Sequence, residues 1–384
     1  MSETTSRGSL DTALDRVIAS RSEAGEQFFA AEADRIARLC HAMAKRFALG
    51  GRLLAVGSSP QAWSDASHVA VEFVHPVIVG KRALPALAVA SPDFDLIARE
   101  SDMVMNFDDL PVRGSKKGLL TISFHATGAE WEFDPPSSDP FVRQELVETT
   151  YHMLWELVHV FLDHIGGSTA GAGASSFLYP FLDEEPRDLA NVEDDVRGSV
   201  LLKSGEIREL RTRTVEGGRS ELVAAATALR RMFAEGGTLF AFGNGGSATD
   251  AMDVVADFRA APQGWPVRKA IDLSADSAIL TALANDIGTE VLFSRQIIAY
   301  ANAGDAALAL STSGDSTNII EALTEADRRG LLTIAFVGYD GGRVAREGLA
   351  DHVVVTESQH IPRIQEAQAT AYHALRELIE LTAA

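Results

Sequence analysis

Two stretches carry the residues best suited to chemistry. Gly243-Asn244-Gly245-Gly246-Ser247 follows the apolar run Thr238–Phe242 and leads into a helical pattern. Ser311-Thr312-Ser313-Gly314-Asp315-Ser316 follows the apolar run Ala306–Leu310 and leads into another. A glycine turn between a buried strand and a helix aims backbone N–H groups, and the positive end of the helix dipole, at an anion. The amide of Asn244 and the hydroxyls of Ser247, Ser311, Thr312, Ser313 and Ser316 add directional donors, so the expected ligand is a phosphate ester. Neither loop has the spacing of a Walker A motif or of a dinucleotide fingerprint.

A second constellation lies elsewhere. His68 and Glu72 are four apart on a predicted helix and share one face. An imidazole and a carboxylate so placed can share a divalent ion, or serve as acid and base on one sugar. Gln144 and His152 are eight apart on a later helical segment, and so are Gln365 and His373 near the end of the chain. Eight residues rise about 12 Å along a helix, whereas zinc–ligand bonds to nitrogen and oxygen are about 2.0–2.2 Å. A Gln and a His at that separation suit two sites, or one site reached from different copies of a unit. His41, His75, His125 and His159 lie in apolar surroundings and read as structural, and His360, just before the last helix, reads as structural first, though it could line the site.

The elements that must position these groups occur twice. Gly51-Arg52-Leu53-Leu54-Ala55-Val56-Gly57 lies over Gly237-Thr238-Leu239-Phe240-Ala241-Phe242-Gly243. Ser64–Phe73 lies over Thr249–Phe258, Gly118–Phe124 over Gly330–Phe336, and Gln144-Glu145 with Tyr151-His152 over Gln365-Glu366 with Tyr372-His373. The chain therefore reads as a tandem duplication, with a divergent first copy over 1–165, a linker over 166–195 and a second copy over 196–384. Residues 1–8 read as disordered, and a long helix is expected from about Glu23 to Leu49. The linker begins rich in Gly, Ala and Ser, and its apolar Phe177–Leu182 is expected to dock on a domain. In the first copy the glycine loop has become Ser58-Ser59-Pro60-Gln61, and the hydroxyl loop with its helix has shrunk to Asp108–Ser115. Asp108 and Asp109 would repel a phosphate, and Trp63 is expected to fill the vacated pocket. The second copy keeps both loops but has Asp253 and Asp257 where the first has His68 and Glu72.

Composition sets limits. The chain has 384 residues, 46% of them hydrophobic, a formal net charge of −20 and one cysteine, Cys40. Such an acidic chain without a basic run is not expected to bind nucleic acid directly. A single cysteine allows no internal disulfide, and the N-terminal stretch has no apolar signal segment, so a cytoplasmic location is expected. No apolar run reaches the length of a membrane span.

Taken in order, Gly243–Ser247, Asn285-Asp286, Phe293-Ser294-Arg295, Ser311–Ser316, Gly338-Tyr339-Asp340-Gly341-Gly342, Arg363–Glu366 and His373 closely resemble the sugar isomerase (SIS) domain of phosphoheptose isomerases, and of their non-enzymatic relatives that bind a replication initiator. The resemblance covers about residues 196–384. It implies an α/β fold of two tandem SIS domains, each a flavodoxin-like parallel sheet with helices on both faces. It implies aldose–ketose isomerisation of a sugar phosphate, and four SIS units around shared sites, which this chain would reach as a homodimer. His68 and Glu72 fall where the family has a histidine and its catalytic glutamate, and zinc is the implied metal, held by His68, Glu72, Gln144 and His152. Glu72, His152 and His373 are the implied catalytic residues, with Asp286 and Gln365 joining the loop residues around the sugar. Asp257 lies ten residues, about 15 Å, beyond Ser247 on one helix. The base for a sugar held by that loop is therefore expected from another copy, as Glu72. The competing expectation is a sugar-phosphate-binding regulatory or scaffold protein.

Overall fold

The computed structural model describes residues 3–77, 81–90, 93–109, 118–165 and 189–381. The expected linker lies mostly outside them, as do its Phe177–Leu182 segment and most of the stretch after Asp109. Two compact units divide the chain: Glu23–Glu206, here the N-terminal unit, and Ile207–Ala384 together with the residues up to Ser22, here the C-terminal unit.

Helix α1 runs from Glu3 to Ala48, so the residues from Glu3 to Gly8, expected to be disordered, are helical. Leu10, Ala13, Leu14 and Val17 are buried in the core of the C-terminal unit, and this periodic apolar face accounts for the longer helix. In the N-terminal unit follow β1 (Leu53–Val56), α2 (Pro60–Val74), β2 (Ala86–Val89), α3 (Phe94–Ile97), β3 (Met103–Asn106), β4 (Leu120–Ser123), β5 (Trp131–Glu132) and α4 (Pro140–Ile165). Helix α5 (Leu189–Gly217) leads on. The C-terminal unit contains α6 (Arg219–Ala234), β6 (Leu239–Phe242), α7 (Gly246–Arg259), β7 (Ala270–Asp272), α8 (Ser277–Asp286), α9 (Ser294–Tyr300), β8 (Ala306–Ser311), α10 (Thr317–Arg328), β9 (Leu332–Gly338), α11 (Gly342–Arg346), β10 (His352–Thr356) and α12 (Ile361–Leu381).

Each unit holds one five-stranded sheet, in the orders β2-β1-β3-β4-β5 and β7-β6-β8-β9-β10, with every pairing parallel. The orders are the same when counted from each unit's first strand. A parallel sheet covered on both faces needs continuous apolar strands, and β1, β3, β6 and β8 are buried at every residue. Side chains alternate between the faces. Leu239, Ala241, Leu308 and Leu310 join the core under α6, α7 and α12, while Phe240, Phe242, Ala307 and Ala309 pack on α9 and α10. Among the described residues, the corresponding second face in the N-terminal unit is a small cluster of Leu54, Val56, Val89 and Val104 with Phe94, Ala98 and Leu119. The crossover from β3 to β4 spans residues 107–119, against 312–331 from β8 to β9 with α10 inside it.

Candidate active site

In a wound sheet of this order the crossovers leave the first strand in opposite directions, opening a crevice at the carboxyl ends of the first and third strands. In the C-terminal unit those strands are β6 and β8, and the two hydroxyl-bearing loops end there. Gly243 is required by the local backbone, because a Cβ would lie 2.2 Å from the carbonyl oxygen of Ser247. The N-cap of α7 is Gly245, at φ 57°, with no side-chain cap. Among the described residues, nothing takes the backbone N–H groups of Asn244, Gly245 or Gly246. Helix α10 likewise starts at Ser316 without a side-chain cap. Two helices thus present open N-termini to one crevice, an arrangement suited to an anion.

The loops are tied together from beneath. Ser311 Oγ accepts from the Gly314 N–H at 3.1 Å, and Arg343 N–H donates to Asp315 at 2.9 Å. Gly314, at φ 64°, lies so near Gly341 that a Cβ would stand 2.3 Å from its carbonyl oxygen. The Gly338–Gly342 turn therefore supports the hydroxyl loop. Across the crevice Asn244 and Asn318 exchange two amide hydrogen bonds, each 2.9 Å. Asn318 was not singled out from the sequence, since its partner lies 74 residues away. Asp286, at the end of α8, is exposed and accepts from the Asn285 amide at 2.6 Å.

The N-terminal unit treats the same place differently. Ser59 caps α2, its Oγ accepting from the Ala62 N–H at 3.2 Å. The N–H groups of Ser58 and Ser59 donate to Asp108 Oδ1 at 3.0 and 3.4 Å. Asp108 is buried. Trp63, expected to fill this pocket, is 38% exposed; a carboxylate rather than an indole answers the unpaired N–H groups.

The titratable groups form one cluster in each unit. His68 and Glu72 on α2 meet His152 on α4, all three buried. His152 Nε2 lies 3.3 Å from His68 Nε2, which lies 3.9 Å from Glu72 Oε1. Burial, with His152 close by, holds His68 well below its ordinary pKa. Burial pushes Glu72 up to about 7; His152 opposes the rise and Glu156 adds to it. Glu72 Oε2 has no hydrogen-bond partner among the described residues. A tetrahedral ion with bonds of about 2.0–2.1 Å sets its ligand atoms about 3.3–3.4 Å apart. The facing imidazole nitrogens match that spacing, and Glu72, at 3.9 Å from His68 and with Oε2 unpartnered, adds a carboxylate to a donor set of the kind zinc takes. Gln144, also expected among the ligands, donates its amide to Asp65 at 3.3 Å, and its Oε1 is buried without a partner among the described residues.

In the C-terminal unit the cluster is Asp253 and Asp257 on α7 with His373 on α12. His373 Nε2 is 3.5 Å from Asp253 and 3.3 Å from Asp257. Tyr372, also unforeseen, donates its hydroxyl to Asp253 at 2.8 Å. Burial and the neighbouring Asp253 push Asp257 up to about 6, against the pull of His373 and Arg376. Gln365, expected at the sugar, is buried, and its amide donates to Asp250 at 3.4 Å. His373 is brought to Asp253 and Asp257, ten residues down α7 from the glycine loop.

Comparison with known proteins agrees with this geometry. The class comes first: the sequence model of the SIS domain matches residues 204–338. Over 96% of its length the chain superposes on the C-terminal domain of glucosamine-fructose-6-phosphate aminotransferase from Francisella tularensis, with a TM-score of 0.61. That match covers 95% of the other chain at 9% identity and speaks for the fold alone. The chain is 39% identical to the phosphoheptose isomerase of Aquifex aeolicus over 177 residues, 46% of this chain and 91% of that one. It is 42% identical to that of Pelobacter propionicus over 159 residues, 40% of this chain and 82% of the relative. The chain belongs to the phosphoheptose isomerase family. Among the described residues, no helix is long and apolar enough to cross a membrane.

Proposed function

We propose that this protein is an aldose–ketose isomerase acting on a phosphorylated sugar, of the heptulose 7-phosphate type. The reading is supported above all by the pair of uncapped helix N-termini, α7 and α10, at the carboxyl ends of β6 and β8; Ser247, Ser311, Thr312, Ser313 and Ser316 would add hydroxyls to that grip. With a net charge of −20, the protein attracts an anionic substrate only through such local dipoles.

The reaction moves one proton between adjacent carbons. A base removes the proton α to the carbonyl while the carbonyl oxygen gains one, giving an enediol; a proton is then returned to the neighbouring carbon while the other enediol hydroxyl loses its own, which forms the new carbonyl. Each transfer needs a group of suitable pKa within about 3 Å. Glu72, pushed up to about 7, is matched to take and return a proton near neutrality, and His152 or His373 is the partner acid. The same His68, Glu72 and His152 could instead hold zinc, which would polarise the sugar oxygens as a Lewis acid; Glu72 and His152 would then serve the ion rather than the proton. Asp257 lies about 15 Å along α7 from Ser247, too far to serve a sugar held by that loop. The base is therefore supplied by another copy of the fold, in the same chain or a second one, and the assembly is a homodimer with four SIS units. Light scattering at micromolar concentration is expected to give the dimer mass.

The test is incubation with a heptulose 7-phosphate in heavy water. Deuterium entering the carbon beside the carbonyl, followed by NMR, supports the isomerase. The replacement of His68 and Glu72 by Asp253 and Asp257 in the C-terminal unit favours the second reading, a non-catalytic sugar-phosphate-binding protein. Binding seen by calorimetry without any exchange would establish that reading.

A further inference from the structure

The crevice at the first and third strands exists in both units, and the backbone around it is built alike. Gly57 is under the same constraint as Gly243: a Cβ there would lie 2.1 Å from the Ala62 carbonyl oxygen. Each glycine hooks the chain from its strand into a helix through a short turn whose N–H groups lie just before and at the helix cap. In the C-terminal unit those of Asn244, Gly245 and Gly246 are not taken within the described chain. In the N-terminal unit those of Ser58 and Ser59 are taken by Asp108 Oδ1.

Asp108 comes from the opposite wall. It stands just beyond β3, where the C-terminal unit carries its hydroxyl loop just beyond β8. Its backbone is fixed by Asn106, whose amide donates to the Asp108 carbonyl at 2.8 Å and whose oxygen accepts from the Asp108 N–H at 3.4 Å. The residue is 8% exposed, and Oδ2 has no partner among the described residues. A carboxylate is an ordinary ligand for a helix N-terminus, by the same dipole and N–H groups that bind phosphate. Repulsion, the role expected for Asp108 from the sequence, is thus the lesser part of what it does.

We propose that the N-terminus of α2 is an anion site which takes the Asp108 carboxylate where its counterpart takes a phosphate ester. The chain then binds one sugar phosphate, and removing Asp108 opens a second site for inorganic phosphate. Only the count of one rests on the reading given above for the C-terminal unit; the second site is tested apart from it. The full chain carrying Ser313→Ala and Ser316→Ala is the parent, so that the C-terminal grip is disabled. To it is added Asp108→Ala, and thermal unfolding is followed in sodium phosphate and in sodium chloride of equal ionic strength. Asp108→Ala is expected to lower Tm. Phosphate, but not chloride, then restores it saturably, and calorimetry reads one phosphate per chain more than in the parent. A folded Asp108→Ala protein that binds no phosphate overturns the proposal. Should that variant not fold, Asp108→Asn decides. Its amide oxygen still accepts both N–H bonds without the charge, so it should fold with a lowered Tm and no response to phosphate. A Tm equal to the parent's would show that the charge plays no part, and would overturn the proposal as well.

Discussion

In the C-terminal unit the helix after the first strand begins uncapped at Gly245 and reaches two aspartates, Asp253 and Asp257, further along. In the N-terminal unit the matching helix is capped by Ser59, the N–H groups of Ser58 and Ser59 just before it are held by the carboxylate of Asp108, and His68 and Glu72 stand at the corresponding turns. One copy has an open anion crevice beside a carboxylate-rich cluster; the other has a closed crevice beside an imidazole-rich one. The sheets and the glycine hooks are the same. A strand order is fixed by burial of apolar faces, which every side chain in the core supports jointly. A ligand site depends on a few loop-end residues, and either copy can change these without unfolding.

The comparison is broken most sharply at the grip. Ser313→Ala with Ser316→Ala removes two hydroxyls from the crevice. Hydrogen bonds to a charged group contribute about 1.5–3 kcal/mol each, so affinity for a sugar phosphate should fall by about 100-fold or more in calorimetry. Ser58→Ala with Ser59→Ala should leave it unchanged. Equal weakening by both pairs would mean that the N-terminal crevice also binds.

Metal content sharpens the contrast between the clusters. Two imidazoles and a carboxylate suit zinc, whereas paired carboxylates suit harder ions. His68→Ala should remove most of the zinc from purified protein, read by elemental analysis. Unchanged zinc in that variant, with loss in Asp253→Ala, would transfer the site to the other unit.

A smaller effect is expected at Asp272, which ends β7 next to the grip. Burial pushes its carboxyl up to about 6, although Ser274 N–H donates to it at 2.7 Å. Its Oδ2 has no partner among the described residues. Above about pH 6 the group is charged in folded and unfolded protein alike, and the full cost of burying the charge is present. As pH falls toward 4 the folded protein takes the proton first and the cost disappears. Asp272→Asn should therefore stabilise the metal-free protein by on the order of 1 kcal/mol at pH 7, with the gain vanishing near pH 4. A gain independent of pH would show that charge burial is not the cause.

Much of this was legible because it is local. The apolar runs before Gly57, Gly243 and Ser311 became β1, β6 and β8, and the four-residue spacing of His68 and Glu72 put both in one cluster. Gln144, expected among the zinc ligands, has its amide nitrogen on Asp65, a partner that lies 79 residues away in sequence. What could not be read was tertiary. Nothing near Asp108 in sequence shows that it reaches Ser58, fifty residues away, and its negative charge suggested only repulsion. The Asn244–Asn318 pair is equally remote. Glu3–Gly8 reads as a polar tail in sequence; the helix that begins there runs on into Leu10, Leu14 and Val17, whose covering surface comes from elements beyond residue 207.

The central claim is a division of labour: the C-terminal unit holds the sugar phosphate and the N-terminal unit supplies the base. Its most direct test is deuterium exchange into a heptulose 7-phosphate by the Glu72→Gln and Asp257→Asn proteins, with binding measured in parallel. Glu72→Gln keeps the shape of the side chain and removes the base, so exchange should drop by at least the roughly 100-fold typical of a lost general base, with binding retained. Asp257→Asn should lose far less. Full exchange by Glu72→Gln, or its collapse in Asp257→Asn alone, would contradict the account.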